Sequence, residues 1–146
     1  MTMAHLLPQF SREYMDFKMN QYLMYYEITE GIPREGHTIS VEPNKCHIQD
    51  KYTTKTRSYT TVTLTEGSRS LRCTVRSHQL IFFLFTGSVP ETGQDISHLC
   101  HNKKCLNIQH LNLEPHAINM QRRMCNERSR GHRVCSGHYS YPNCIF

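Results

Sequence analysis

The sequence predicts an α+β domain in which zinc supplements a small hydrophobic core. Leu, Ile, Val and Phe make up only 31 of 146 residues, close to the level of about 20% below which highly charged chains tend not to fold. Seven Cys and ten His offer metal ligands, which small domains often use to strengthen a thin core. The hydrophobic period is helical near the N-terminus, alternates in the middle and is helical again near the C-terminus. We expect one domain over residues 1–146, with a helix and loop (1–44), a β-ribbon and apolar segment (45–90), a metal-centred ββα unit (91–124) and a C-terminal zinc loop (125–146).

The first predicted element is a packing helix. Ser11 can cap it, and apolar residues then recur every three or four positions as far as Tyr26. Gly31 ends the helix, and the Pro and Gly residues of 32–45 predict a loop.

Residues 55–76 predict a β-hairpin with one apolar face. Val62 and Leu64 alternate with polar residues, a turn follows at 66–68, and a second alternating run continues to Arg76. A two-stranded ribbon fits the major groove of DNA, although a solvated Thr-rich face would show the same pattern. The residues on the polar face that we assign to nucleic acid are Arg57, Tyr59, Thr61, Thr63, Arg72 and Arg76. After the hairpin, residues 78–85 form an apolar helix or strand that Gly87 and Pro90 terminate.

The positive charge is concentrated in the last two-thirds of the chain. Residues 1–44 carry three basic and six acidic side chains, whereas residues 45–146 carry fourteen and six. Such a surface suits a polyanion, and the alternative is ordinary solvation by Lys and Arg.

No signal segment is recognisable at the N-terminus, and the longest apolar run is residues 80–85, far short of the ~20 residues that span a bilayer. We therefore expect a soluble intracellular protein without membrane association. In a reducing compartment, seven Cys favour zinc ligands plus a leftover thiol over a disulfide framework.

The most informative segment follows residue 95. Four residues separate Cys100 from Cys105 and Cys105 from His110. The three side chains can bind one tetrahedral zinc that still lacks a fourth ligand. An upstream Cys must supply it. Strands at 96–99 and 111–113 flank this loop, and Glu114-Pro115 opens a helix that continues through Arg123, so the expected unit is ββα around a metal.

The run Ser97-His98-Leu99-Cys100-His101-Asn102, followed by Cys105, Asn107, His110-Leu111 and Asn119, resembles the His-Cys box homing endonucleases of the ββα-metal (HNH-like) nuclease superfamily. The resemblance covers about residues 46–144 and is specific between 97 and 125. It implies a metal-dependent DNA endonuclease that leaves 5′-phosphate and 3′-hydroxyl ends, with homing as its biology.

The resemblance also implies residue roles. His98 is expected to be the general base, and Asn119 to bind a catalytic Mg²⁺ shared with the scissile phosphate. An Arg of the hairpin region, Arg69 or Arg72, is expected beside that phosphate. Because Mg²⁺ usually keeps several waters and is completed by substrate phosphate, the ion should bind together with DNA. His116, one helical turn before Asn119, is a further candidate ligand.

Two structural zinc ions are expected. The family pattern assigns the first to Cys46, Cys100, Cys105 and His110. Past residue 124 the chain offers five candidates, and family order selects Cys125, Cys135, His138 and Cys144, with His132 in reserve. Cys73 faces the apolar side of the hairpin and is expected to be structural, while Arg122 and Arg123 beside the catalytic helix are expected to neutralise phosphates.

Double-stranded DNA is the expected partner and the nucleus the expected location. A homodimer is expected because one site cuts one strand, and the candidate surface on the first helix comprises Met15, Met19, Tyr22 and Tyr26, unless these pack against the chain's own sheet. The alternatives are a non-catalytic zinc-dependent DNA- or RNA-binding module, a structural zinc protein, or a non-homing nuclease of the superfamily.

Overall fold

The described part of the chain has an α+β architecture with two antiparallel β-hairpins and three α-helices. The computed structural model describes residues 3–25, 46, 61–128, 135, 137, 138 and 140–145. Within these residues the elements are α1 (Arg12–Tyr25), β1 (Thr61–Glu66), β2 (Leu71–Arg76), α2 (Ser77–Thr86), β3 (Gln94–His98), β4 (Leu111–Pro115) and α3 (His116–Arg128). The predicted fold class is thus confirmed at the level of α+β.

Helix α1 begins where the sequence predicts. The Ser11 hydroxyl accepts a hydrogen bond from the Tyr14 N–H at 3.1 Å, as an N-cap residue does. The Glu66 carboxylate, at the end of β1, accepts from both the Ser11 N–H and the Ser11 hydroxyl, so it ties the first hairpin to the start of the helix. The predicted end at Gly31 and the loop at 32–45 lie outside the described residues.

Strands β1 and β2 form the predicted hairpin over residues 61–76. Thr61 pairs with Arg76 and Thr65 with Arg72, and a 3₁₀ turn at Gly67–Arg69 connects the strands. Leu64, Cys73 and Val75 point into the core while the threonines and arginines between them are exposed, which confirms the two-faced pattern. The predicted first part of the hairpin, residues 55–60, lies outside the described residues.

The apolar face of α1 is part of the core. Met15 packs in a cluster with Leu64 and Val75, and Met19 in a second cluster with Ile81 and Ile96. Both side chains are buried within the chain, which is the alternative to a dimer surface that the sequence left open. Burial of these side chains removes their apolar surface from water, which favours the folded state. The side chain of Tyr22 and all of Tyr26 lie outside the described residues.

The apolar segment after the first hairpin is helix α2, which lies between the two core clusters. Leu80 joins the cluster of the first hairpin, whereas Ile81 and Phe82 join the second. Gly87, at φ 72°, ends the helix in the left-handed conformation that glycine adopts without steric cost. Apolar contacts on both sides explain why this segment has no polar stripe.

The second hairpin leads directly into α3. Strand β3 pairs with β4 in a register that sets His98 opposite Leu111 and Asp95 opposite Glu114. The 12-residue connection at 99–110 is closed by a hydrogen bond from the Leu99 N–H to the His110 carbonyl at 2.7 Å. Helix α3 begins immediately after Pro115 and extends five residues beyond the predicted end at Arg123. Among the helices of the described ranges, none combines the length and apolar character needed to cross a bilayer.

Candidate active site and metal centres

The first candidate metal centre combines three residues of the β3–β4 connection with Cys46 from far upstream. The ligand atoms of Cys46, Cys100, Cys105 and His110 all lie within 4.8 Å of one another. The His110 Nδ1 atom is 3.4 Å from the Cys105 sulfur and 3.7 Å from the Cys46 sulfur. In a regular tetrahedron around zinc, sulfur and nitrogen ligands are about 3.6 Å apart. The four residues therefore fit a structural zinc ion.

Tight turns within the connection bring its ligands together. The Asn102 carbonyl accepts from the Cys105 N–H at 3.0 Å, and its side-chain oxygen accepts from Lys104. Fully buried Asn107 caps the 3₁₀ turn that carries His110, accepting from the Gln109 N–H at 3.0 Å. Asn side chains stabilise such turns because they bond to backbone groups two residues on.

The electrostatics of this cluster favour a bound cation. Burial, and then the neighbouring Cys105, raise the pKa of the Cys46 thiol to about 11. A hydrogen bond with Cys105, burial and the Cys105 charge raise the pKa of Cys100 above its ordinary value. Each thiolate opposes ionisation of the next, and a divalent cation supplies the charge that allows all three to bind as thiolates.

The second candidate metal centre joins the end of α3 to the C-terminal segment. Cys125, Cys135, His138 and Cys144 have their ligand atoms within 4.8 Å of one another. The His138 Nε2 atom lies 3.3 Å from the Cys144 sulfur, again close to the tetrahedral spacing of zinc ligands. This is the set that family order selects, and the reserve ligand His132 lies outside the described residues. Both Cys₃His clusters fit zinc.

Hydrogen bonds hold two ligands of this second cluster, Cys135 and His138, in position. The Cys135 sulfur accepts the N–H groups of Cys144 at 3.3 Å and Gly137 at 3.4 Å. Burial raises the pKa of Cys135, but these bonds and the neighbouring Cys144 and Cys125 thiols lower it by a larger amount, so the pKa lies below its usual value. The Nδ1 atom of His138 faces the Gln121 side-chain oxygen at 3.5 Å, which leaves Nε2 as the metal-binding nitrogen.

Arg122, which the sequence led us to expect beside a phosphate, is buried and ion-paired instead of exposed. Its guanidinium makes two hydrogen bonds to the Glu114 carboxylate, at 2.6 and 2.8 Å, and both side chains are almost completely buried. A third bond, of 3.6 Å, reaches the Cys144 sulfur. Its charge is already matched by Glu114, and the pair connects β4, α3 and the second cluster.

His98 is oriented as a neutral base at the end of β3. Its Nε2–H donates to the Cys105 carbonyl at 3.1 Å. Because a carbonyl only accepts, the proton sits on Nε2 and the lone pair on Nδ1. Burial lowers the pKa of His98 to about 4, so its imidazole is neutral at pH 7 and able to accept a proton.

A second buried histidine contacts His98. The His78 ring, in the first turn of α2, lies 4.5 Å from the His98 ring between centroids. Burial and the neighbouring His98 hold the pKa of His78 well below its ordinary value. Sequence reasoning gave His78 no role, because a single histidine before an apolar run carries no local signal.

Asn119, on α3, is held by an acidic residue that sequence reasoning also missed. Its Nδ2 group donates to the Asp95 carboxylate at 2.9 Å, and His116 Nδ1 donates to the same oxygen at 2.6 Å. The Nδ1 atom of His116, which the sequence offered as a further candidate metal ligand, is therefore hydrogen-bonded to Asp95. Only the β3–β4 register brings Asp95 to the start of α3, so spacing along the chain gives no hint of the contact.

His98 and Asn119 both line one cavity. The cavity has a volume of about 330 Å³. Its basic lining residues on the exposed side are Lys103 and Arg123. The full lining comprises His98, His101, Lys103, Asn119, Met120, Arg122, Arg123, Asn126 and Glu127.

A family model described as the zinc-binding loop region of homing endonuclease matches residues 44–146. The chain belongs to this homing endonuclease family. The matched span contains both Cys₃His clusters, His98 and Asn119. No curated protein and no solved structure shows significant similarity to the chain.

In this member of the homing endonuclease family, the first hairpin presents a polar outer face. Thr61, Thr63, Arg72 and Arg76 are all exposed on it, and Thr63 is hydrogen-bonded to Thr74 across the strands at 2.9 Å. The predicted contacts Arg57 and Tyr59 lie outside the described residues.

The hairpin arginines expected beside the cleaved phosphate do not line the cavity. Arg69 lies at the turn, 3.9 Å from the Glu66 carboxylate, and Arg72 is paired with Thr65 near the same end. Arg76 lies at the opposite end of β2, and its charge contributes to the lowered pKa of His98. Burial is the largest cause of that lowering, and the charges of His110 and Lys103 contribute more than that of Arg76.

Proposed function

We propose that the protein is a Mg²⁺-dependent DNA endonuclease of the ββα-metal type that acts as a homing enzyme. The observation that carries the proposal is the shared cavity, in which a neutral, oriented His98 and the amide of Asn119 meet on the β3–β4–α3 unit. Membership in the homing endonuclease family supports the same chemistry.

His98 would act as the general base. Its Nδ1 lone pair would take a proton from a water that attacks the phosphorus in line with the departing 3′-oxygen. The hydrogen bond to the Cys105 carbonyl would hold the ring in the correct tautomer and would stabilise the imidazolium that forms. The products would carry 5′-phosphate and 3′-hydroxyl ends.

Asn119 would be the protein ligand of the metal ion. Its side-chain oxygen is a hard ligand of the kind that Mg²⁺ prefers, and the other end of the amide is occupied by Asp95. When bound, Mg²⁺ supplies positive charge that stabilises the crowded phosphate and the leaving oxygen. One amide is a small protein contribution, so phosphate oxygens and water would complete the coordination.

The surrounding cations would hold the substrate. Lys103 and Arg123 line the cavity and would contact phosphates beside the scissile bond. The outer face of the first hairpin would read bases in the major groove. A double-strand break needs two active sites, so we propose a homodimer on DNA, and action on DNA favours a nuclear location. A non-catalytic binding module would need neither a buried neutral histidine nor a cavity that this histidine shares with Asn119.

The test uses zinc-loaded protein and a plasmid library with random inserts, because the target sequence is unknown. Mg²⁺ is omitted rather than chelated in the control, so that the zinc ions stay in place. We expect cleavage of a subset of plasmids only with Mg²⁺, and ends that a DNA ligase rejoins without prior phosphorylation. His98→Ala should retain binding and lose ~10²–10⁴ in rate. Absence of cleavage by the wild-type protein, or full activity of His98→Ala, would contradict the proposal.

A further inference from the structure

One carboxylate oxygen of Asp95 receives two side-chain hydrogen bonds from the first turn of α3. His116 Nδ1 lies 2.6 Å from Asp95 Oδ2 and Asn119 Nδ2 lies 2.9 Å from it. The two donors are three residues apart and therefore share one face of the helix.

The backbone places this carboxylate accurately. Asp95 lies in β3 directly opposite Glu114 of β4. Glu114 is two residues before the start of α3, so the pairing brings Asp95 to the beginning of that helix. The His116 N–H also donates to the Gly93 carbonyl at 2.9 Å, which holds the helix start against the segment leading into β3. A negative charge at this end of α3 is favoured by the helix dipole.

We propose that Asp95 is a positioning residue for Asn119, an inference that rests on the proposed nuclease function. A side-chain amide has one donating and one accepting end, and the carboxylate can only accept. Asp95 therefore fixes the NH₂ end of Asn119 toward β3 and leaves the oxygen end for the metal ion. The negative charge also polarises the amide and makes its oxygen a stronger ligand for a hard cation.

His116 supports this arrangement from the outside. Its side chain is 60% exposed, whereas that of Asp95 is 31% exposed, so the ring covers the carboxylate on its solvent side. Asp95 acts through Asn119 because Asn119 lines the cavity and Asp95 is not part of that lining.

The experiment measures Mn²⁺ affinity by electron paramagnetic resonance, with the protein bound to its preferred DNA duplex. All proteins carry His98→Ala, so that no cutting occurs during titration. We expect Asp95→Ala to weaken Mn²⁺ binding ~10–100-fold, the range typical of losing an outer-shell partner. Asp95→Asn should give a smaller loss, because an amide can still accept the bond without the charge.

A double-mutant cycle separates positioning from direct ligation. In an Asn119→Ala background, Asp95→Ala should cause no further loss of Mn²⁺ affinity. Glu91→Gln is the matched control, since it removes one exposed negative charge four residues before Asp95 and should leave the affinity unchanged. Zinc content of two per chain and an unchanged melting temperature show that the variants fold.

Cleavage by the otherwise wild-type protein distinguishes this inference from the proposed function. Asp95→Ala should need ~10–100-fold more Mg²⁺ for half-maximal rate and should recover at high Mg²⁺. Wild-type cleavage combined with an unaltered metal dependence of Asp95→Ala would overturn the positioning role alone, as would an additive effect in the cycle. If the wild-type protein does not cut, the proposed function itself fails.

Discussion

Removal of Arg122 should destabilise the protein strongly, because it leaves the buried Glu114 carboxylate without its main partner. The exposed fractions of the two side chains are only 2% and 0%, and Arg122→Met deletes both hydrogen bonds to that carboxylate as well as the bond to Cys144. Breaking one side of a buried ion pair costs about 3–5 kcal/mol. We expect a loss of this size in the free energy of unfolding at pH 7.5, measured by far-UV circular dichroism in urea at fixed free zinc.

The pH dependence of the same variant gives a second measure. Burial raises the pKa of Glu114, but the hydrogen bonds from Arg122 and Asn112 and the charge of Arg122 lower it by a larger amount, so the folded-state pKa is below the ordinary value. This stabilisation is present above the unfolded pKa and is lost as the pH falls through the folded one. Removal of Arg122 takes away the largest influence that lowers this pKa, so the folded-state pKa of Glu114 should rise and the buried carboxylate should take up a proton more readily as the pH falls. The difference between wild type and Arg122→Met should therefore shrink toward pH 5.

The matched control removes the charge as well as its partner. In Glu114→Gln/Arg122→Met no uncompensated carboxylate is buried, and the double variant should be more stable at pH 7.5 than Arg122→Met alone. A cost below about 1 kcal/mol for Arg122→Met, with both zinc ions retained, would refute the buried-charge argument.

Three further predictions concern the metal sites, acid sensitivity and DNA binding. Cys46→Ser should bind one zinc per chain instead of two by elemental analysis, while Cys73→Ala, in the core away from both clusters, should keep two; loss of zinc from the latter would show that the fourth ligand is misassigned. Burial lowers the pKa of His78 in the folded state, so the unfolded state takes up a proton near pH 6.5 while the folded state does not, and the free energy of unfolding should fall as the pH drops below that value. In urea unfolding at pH 7.5 and 5.5, His78→Leu should lose less of this free energy than the wild type. Equal losses would argue against burial of His78 as the cause. Arg72→Ala should weaken DNA binding and reduce the slope of affinity against salt by about one, and an unchanged slope in a titration by fluorescence anisotropy would place this face of the hairpin away from phosphates.

The sequence by itself determined the local features of the protein. Alternation over residues 61–76 predicted the first hairpin because side chains on a strand point to opposite faces in turn. The spacing of Cys100, Cys105 and His110 predicted a shared metal because a short connection between paired strands keeps its members close together. The resemblance to homing endonucleases identified Cys46 as the upstream ligand and selected four of the five candidates past residue 124, a choice that the residue spacing left open.

Only the tertiary structure decided which polar side chains face the cavity and which support it. Arg122 and Arg123 are neighbours on the same helix, yet one is buried against Glu114 and the other is exposed. The contact between Asp95 and Asn119 joins residues 24 positions apart and depends on strand register and on where α3 begins. Helical and strand periods describe how side chains are arranged around their own element, whereas the burial of a charge and the partner it finds depend on the neighbouring elements that pack against it.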